Sequence, residues 1–391
     1  MSDETRPLVL HVIHQLRVGG LENGLVNLIN HMPAARFRHA VLCVEDYSDF
    51  RLRITRPDVD VYALHRSRIG VWRMRVAMYQ LFRRLRPTIV HSRNLSGLDA
   101  LVPARLAGVP FRVHGEHGLD VDNLHGDNKR HAMLRRLHAP LVNGYVTVSK
   151  SLETYLRERV GVAGRRIRQV YNGVDTERFA PQPTRDFSAL PLGFAGPDSV
   201  IVGTVGRLQP VKDQATLLRA FAALEDADAA FRARMRLVIV GDGPLSAELR
   251  ALAQRLGIAN MVCFTGDSGE VARLLPTFDV FVLPSLSEGI SNTLLEAMAS
   301  AVPVLASAVG GNLELVRDGH VGHLFPPGDT PRLAQLLAEY GADAALRQRL
   351  GAAARQHASE QFSLAAMVGN YAAVYEDLCT GAGRRLRQNS R

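Results

Sequence analysis

Apolar positions along the chain follow two alternating rhythms. Short runs rich in Val, Ile and Leu are each followed by a longer stretch in which apolar residues recur every three or four positions. The short runs predict strands and the longer stretches predict helices. In the first half the strands are LVLHVIH (8–14), HAVLCVE (39–45), DVYAL (60–64), TIVHS (88–92), FRVHGE (111–116) and GYVTVS (144–149). Helical patterns lie near 20–31, 71–85, 97–107, 130–138 and 150–159. The Pro- and Gly-rich stretch 181–199 interrupts this order and reads as a linker. The rhythm restarts with VIVGTVG (200–206), MRLVIVG (235–241), NMVCFTG (260–266), DVFVLPS (279–285), VPVLAS (302–307) and VGHLF (321–325). An Ala/Leu-rich helical stretch follows over 331–379.

Strand–helix alternation of this kind is the signature of an α/β protein with doubly wound parallel sheets. Two such halves of similar size are expected. The first domain covers 1–185, the second 186–362, and a terminal helix with a basic tail 363–391. Ligands of these sheets bind beyond the carboxyl ends of the strands, so a cleft between the halves is the default site.

Composition narrows the classes. With 391 residues, 47% of them hydrophobic, the chain can build more than one core and is not disordered. Cys43, Cys263 and Cys379 lie far apart without C-x-x-C spacing, which excludes a disulfide scaffold and argues for a reducing compartment. No apolar run reaches the ~18 residues that span a bilayer. The polar opening MSDETRP is not a secretory signal, so a cytoplasmic location is expected.

The net charge of +9 is uneven: residues 1–185 hold 29 Lys and Arg against 17 Asp and Glu, and residues 186–391 hold 18 against 21. A basic first half suggests an anionic partner. Aromatics make up 6% and do not interleave with the basic residues, which argues against nucleic acid. Arg83, Arg84, Arg86 and the segment 129–141 are basic and amphipathic. In the latter, Lys129, Arg130, Arg135 and Arg136 flank Met133, Leu134 and Leu137. An anionic lipid surface and a solvated helix face both fit them. Arg384, Arg385, Arg387 and Arg391 add a basic tail.

The strongest local signal is GRLQPVKD (206–213), directly after a strand. Gly206 permits a tight turn, and Arg207 and Lys212 place two cations where the next helix offers free N–H groups. A diphosphate site and a solvated loop both fit. Glu288 and Glu296 follow the strand 279–285, eight residues apart, so both can lie on one side of a loop and helix. One suits sugar hydroxyls, the other a glycosyl carbon gaining positive charge. Surface or capping acids are the plain alternative. VGDGP (240–244), with Gly241, is a glycine turn that does not fit the G-x-G-x-x-G dinucleotide pattern, which disfavours a nicotinamide oxidoreductase.

Gly310 and Gly311 precede a helix, as do Gly19 and Gly20 in the first half; both pairs permit backbone approach to an anion, and packing alone also explains them. His114 and His117 have H-x-x-H spacing but no third ligand, so a substrate contact or an acid/base role suits His117 better than a metal. His11 and His14 read as core histidines.

Taken in order, the Gly19–Gly20 loop, EHG (116–118), TVSKS (147–151), YNGVD (171–175), GRLQPVKD, VGDGP, the Glu288–Glu296 pair and VGGNLELV (309–316) resemble the retaining glycosyltransferases of family four, which have the GT-B architecture. The opening VIHQLRVGGLENGLVNLIN (12–30) is similar to that of sugar transferases found with exosortase-linked exopolysaccharide clusters. The resemblance implies that Arg207 and Lys212 bind the donor diphosphate, with Gly206 and Gly241 in the adjoining loops. It implies that Glu296 holds the nucleotide ribose in a helix opened by Asn292 and Thr293, and that Glu288 meets the donor sugar. Gly310, Gly311 and Leu313 would lie near nucleotide or sugar, His117 would meet the sugar, and Gly20 would sit beside phosphate and acceptor. Asn172 and Gly173 match a hinge-proximal turn.

The co-substrate implied is a nucleotide-diphosphate sugar, with UDP-sugars favoured and no metal or cofactor. Gln209 and Pro210 depart from the usual family residues and leave the base open. The acceptor implied is a glycan, polyprenyl-diphosphate-linked at an anionic inner-membrane surface. An epimerase of the same fold and a non-catalytic anion binder are the competing readings.

Overall fold

A computed structural model describes residues 6–118, 126–226 and 229–380. The chain forms two units, one of residues 1–173 with 364–391 and one of residues 174–363. The tail arginines beyond residue 380 lie outside the described residues.

The first unit is a parallel sheet of β1 (Leu8–Ile13), β2 (Arg38–Cys43), β3 (Asp60–Ala63), β4 (Ile89–Arg93), β5 (Phe111–Glu116), β6 (Gly144–Thr147) and β7 (Ile167–Gln169), in the order β3-β2-β1-β4-β5-β6-β7. Every residue of β1 and β4 is buried, which their apolar runs require of central strands. Alternate residues feed opposite layers. Val9 and Ile89 pack with Leu28, Met367 and Tyr371, under the helices Gly20–His31 and Leu364–Cys379. Leu10 and Val90 pack with Met74, Met78 and Phe82 of the helix Arg66–Leu85, which kinks at Gly70 (φ 77°) and so starts its regular part where the periodicity begins. The order reverses between β1 and β4, so ligand-facing loops converge beyond the carboxyl ends of these two strands and β5.

The second unit is a parallel sheet of β8 (Val200–Val205), β9 (Met235–Val240), β10 (Val262–Gly266), β11 (Val280–Leu283), β12 (Val304–Ser307) and β13 (Gly322–Phe325), in the order β10-β9-β8-β11-β12-β13. Val202, Leu237, Ile239, Val282 and Leu305 form its core with Leu217, Phe221, Leu333 and Leu337 from the covering helices.

The passage between units lies at 173/174 rather than at 185, and the stretch 181–199 is not a linker. The Val174 N–H donates to the Phe362 carbonyl at 2.8 Å, and Arg355 donates to the carbonyls of Thr176 (3.1 Å) and Phe179 (2.8 Å). Arg185 pairs with Asp279 at 2.8 Å. Proline and glycine there mark irregular backbone, not a lack of contacts.

Candidate active site

In the second unit, the loops at the carboxyl ends of β8 and β9 run in backbone contact. The Gly206 N–H donates to the Val240 carbonyl (2.9 Å) and Leu208 to Asp242 (2.9 Å). A Cβ at Gly241 (φ 125°) would stand 2.2 Å from the Gly206 oxygen, so glycine at 241 is dictated by this close approach. The chain then turns through Pro210–Lys212 into the helix Gln214–Ala222. Asp213 caps that helix, accepting from the Thr216 N–H (3.4 Å) and hydroxyl (2.7 Å). The helix end beside Lys212 is thus partly taken: the Asp213 carboxylate caps one of its N–H groups. Arg207 is exposed, and its guanidinium has no partner among the described residues.

Lys212 is held. Its Nζ donates to Glu288 Oε1 at 2.6 Å, and Ser285 Oγ donates to the same oxygen at 2.6 Å. The Leu286 N–H donates to the Val211 carbonyl at 2.8 Å, joining the two loops. The backbone of Glu288 is clamped from the other side. The Gly311 N–H donates to its carbonyl at 3.2 Å. A Cβ at Gly310 (φ 46°) would lie 2.0 Å from that carbonyl, and one at Gly311 1.6 Å from the Gly289 carbonyl. The two glycines thus admit the loop that carries Glu288.

The helix Asn292–Ala299 follows, capped by Ser291 Oγ on the Leu294 N–H at 3.3 Å, with the Ser291 and Thr293 hydroxyls 3.1 Å apart. Glu296 stands in its second turn at 9% exposure, beside fully buried Ala297, Met298 and Ala299. Sequence reasoning brings Lys212, Glu288, Gly310 and Gly311 to one loop cluster but misses Ser285. The available signal was a serine directly after the apolar run VFVLP (280–284), which the structure buries fully.

In the first unit, Gly19 is extended rather than left-handed, and a Cβ there would meet Glu22 Oε2 at 2.2 Å. Its glycine makes room for a carboxylate. Gly20 opens the helix Gly20–His31. His117 follows β5, its N–H held by Asn94 Oδ1 at 2.8 Å. A Cβ at Gly115 would lie 2.8 Å from His117 Nε2 and 3.0 Å from His91 Nε2, two buried nitrogens with no hydrogen-bond partner among the described residues. His91 Nδ1 and the Tyr375 hydroxyl are 2.8 Å apart. Burial first, then the Arg93 cation, lowers His117 to about 3, so its imidazole is neutral at pH 7.

The same layer continues through His11, whose Nε2 lies 2.9 Å from His39 Nδ1. His14, expected in the core, is exposed, because β1 ends at Ile13.

On the opposite face of β5, His114 reaches Ser92 Oγ (2.9 Å) and Glu116 Oε1 (3.2 Å), so it does not form a pair with His117. Arg135 donates to Glu116 through Nε (2.6 Å) and Nη2 (3.0 Å). Burial raises the Glu116 carboxyl, but Arg135 and His114 outweigh it and bring it to about 2. Arg135 is thus an internal counter-ion at 1% exposure, which removes it from the expected lipid-facing set. Arg136 bonds the carbonyls of Arg159 and Val160, while Met133 and Leu137 are exposed.

Among the described residues no group of three or more His, Cys, Asp or Glu could hold a metal ion. No helix of the described residues is long and apolar enough to cross a membrane.

The two sheets, each with its loop cluster at the carboxyl ends, have the GT-B glycosyltransferase architecture. The Anabaena protein HepE, crystallised with UDP and glucose, matches over 95% of this chain and 100% of its own, with a TM-score of 0.81 at 21% identity. Residues 18–178 match the family described as Glycosyltransferase Family 4, and residues 194–357 match Glycosyl transferases group 1. EpsF of Bacillus subtilis is 30% identical over 312 residues, 76% of this chain and 78% of EpsF. The D-inositol 3-phosphate glycosyltransferase of Streptomyces bingchenggensis is 37% identical over 226 residues, 56% of this chain and 49% of that protein; the match spans about half of that relative's length. The chain belongs to glycosyltransferase family 4.

Proposed function

We propose that the protein transfers a sugar from a nucleoside diphosphate, a UDP-sugar first, to a glycan acceptor with retention at the anomeric carbon. The observation that carries this reading is the fixation of Glu288. Its backbone is seated on Gly310 and Gly311, and its side chain is held at 2.6 Å by both Lys212 and Ser285. A carboxylate fixed at a strand's carboxyl end is pre-organised to stabilise an anomeric carbon as it gains positive charge.

The leaving diphosphate gains negative charge in the same step. Lys212 gives one N–H to Glu288 and keeps two donors for phosphate oxygens; Arg207 supplies an unpaired guanidinium. Each well-aimed charged donor contributes ~3–4 kcal/mol to lowering the barrier, so two cations can serve without a divalent metal. Gly206 and Gly241 let the backbone approach the phosphates, and Asn292, Thr293 and Glu296 take the ribose. Neutral His117 donates to or accepts from the sugar, with Gly19 and Gly20 beside phosphate and acceptor. HepE, a neighbour in fold, was crystallised with UDP and glucose, which supports the choice of donor. The first unit holds 31 basic against 17 acidic residues, which supports an acceptor carried on polyprenyl diphosphate at an anionic membrane face in the cytoplasm, in surface or exopolysaccharide synthesis.

The test is thermal stabilisation by UDP, GDP, ADP, NAD and their sugar conjugates. Ligand at ~100 times its Kd adds ~2.7 kcal/mol, a readily seen shift. Selective stabilisation by one nucleoside diphosphate, lost in the Arg207→Ala/Lys212→Ala double variant, supports the reading. An unchanged affinity in that variant sinks the diphosphate assignment. Glu288→Ala is expected to abolish transfer while sparing nucleotide binding.

A further inference from the structure

The helix Arg66–Leu85 has two apolar faces. One holds Met74, Met78, Leu81 and Phe82 and is buried in the first unit. The other is its outer pole. Trp72, Val76 and Tyr79 stand one above another at i, i+4 and i+7, with exposures of 77%, 41% and 40%. Single exposed apolar residues are ordinary on a soluble surface. A stack of three opposite a buried face is not, because a solvated helix keeps its outer side polar. The helix Leu101–Leu106, packed alongside, adds exposed Val102 and Leu106.

Charge frames this stripe. Residues 66–86 contain seven arginines and no acid. Arg66 and Arg75 answer to Asp99 (3.8 and 2.6 Å), and Arg84 lies over the Tyr62 ring. Arg68, Arg73, Arg83 and Arg86 have no side-chain partner among the described residues. On the helical wheel Arg83 continues the stripe and Arg73 and Arg84 flank one edge, while Arg86 is the left-handed residue that ends the helix.

We propose that this outer pole is the surface by which the protein docks on an anionic lipid bilayer, with Trp72 and Tyr79 entering the headgroup boundary and the arginines meeting lipid phosphates. The inference deepens the membrane-bound acceptor reading above by assigning its surface, and it moves that surface away from the helix Lys129–His138, whose Arg135 is spent internally. A second copy of this chain is a poor occupant, since two faces on which arginines outnumber the one acid, Asp99, repel. A nucleic acid leaves the apolar stripe unused.

Trp72 is the only tryptophan, so its emission reports directly on the face. The experiment mixes the full chain, without nucleotide, with vesicles of phosphatidylcholine alone or mixed with phosphatidylglycerol. Expected are a blue shift and quenching by brominated acyl chains on the mixed vesicles only, with binding that weakens in salt. Val76→Asp keeps the reporter and is expected to cut partitioning roughly tenfold. Replacing Arg73 and Arg83 by Gln costs roughly fivefold per charge. Circular dichroism and the nucleotide-induced melting shift, unchanged in these variants, show that the fold and the donor chemistry are intact, so the two readings fail separately. Absence of vesicle binding overturns the proposal. So does binding with unshifted Trp72 emission, partitioning indifferent to Val76→Asp, or a concentration-dependent dimer that Val76→Asp dissolves.

Discussion

Lowering the pH from 7 to 5 loads the buried histidine layer of the first unit. His39 and His117 both sit at about 3, against an ordinary 6.5, because burial and nearby arginines oppose their charged forms. His11 and His91 are held well below 6.5 for the same first reason. An unfolded chain protonates these rings below 6.5 and the folded chain does not, so the unfolded state binds more protons and stability drops as the pH is lowered. The effect is absent above 6.5 and accrues between 6.5 and about 3. Each ring costs ~1.4 kcal/mol per pH unit in this window, hence ~2 kcal/mol at pH 5, and His39 with His117 cost ~4 kcal/mol.

That is a large share of the ~5–15 kcal/mol that holds a domain together. Glu116 does not confuse the measurement, since its contribution is present above its ordinary 4.5 and is lost only as pH falls from there toward about 2. The assay is native-state hydrogen exchange of the β1 and β4 amides at several pH values, corrected for intrinsic exchange, with His39→Gln run alongside. The slope is expected to exceed two protons in the parent and to drop by about one in the variant. A flat profile from 6.5 to 5, or an unchanged slope in His39→Gln, would refute the reasoning.

Three further outcomes can be measured directly. Arg135→Met strands the Glu116 carboxylate at 0% exposure and is expected to cost ~3–5 kcal/mol in melting experiments, with Glu116→Leu on the same background recovering most of it. Gly310→Ala forces a Cβ to 2.0 Å from the Glu288 carbonyl at φ 46°; kcat is expected to fall ~100-fold as that carboxylate moves, and near-parental turnover would show that Glu288 is not positioned by this contact. Gly115→Ala puts a methyl 2.8 Å from His117 Nε2 and is expected to lower transfer while leaving affinity for nucleoside diphosphate, held by the second unit, unchanged.

The sheets are readable in the sequence wherever a strand is buried on both faces, because burial demands an unbroken apolar run. β7 is not, since only Ile167 of its three residues is buried. Lys212 and Glu288, singled out by their chemistry and their place after strands, do meet in one loop cluster. What escaped was tertiary. The Glu116–Arg135 pair joins residues nineteen positions apart through no periodic signal, so an internal ion pair looked like a surface charge. Gly241 read as a plain glycine turn, and the loop of Gly206 passing at contact distance, which requires glycine there, was not legible. The Asp213 cap on the Thr216 N–H depended on a side-chain rotamer that spacing does not encode.

The first unit is interrupted in sequence: it stops at Gly173 and is completed by the helix Leu364–Cys379, whose Tyr371 and Tyr375 close over β1 and β4. On the ribosome this sheet therefore waits, one layer half covered by the helix Gly20–His31, while all of the second unit is made. The order of synthesis and the order of completion are opposite, and the half that emerges first matures last. Shortening the chain by that helix would not trim a tail; it would uncover part of Val9 and Ile89, strip His91 of Tyr371 and Tyr375, and leave the N-terminal sheet with half its roof.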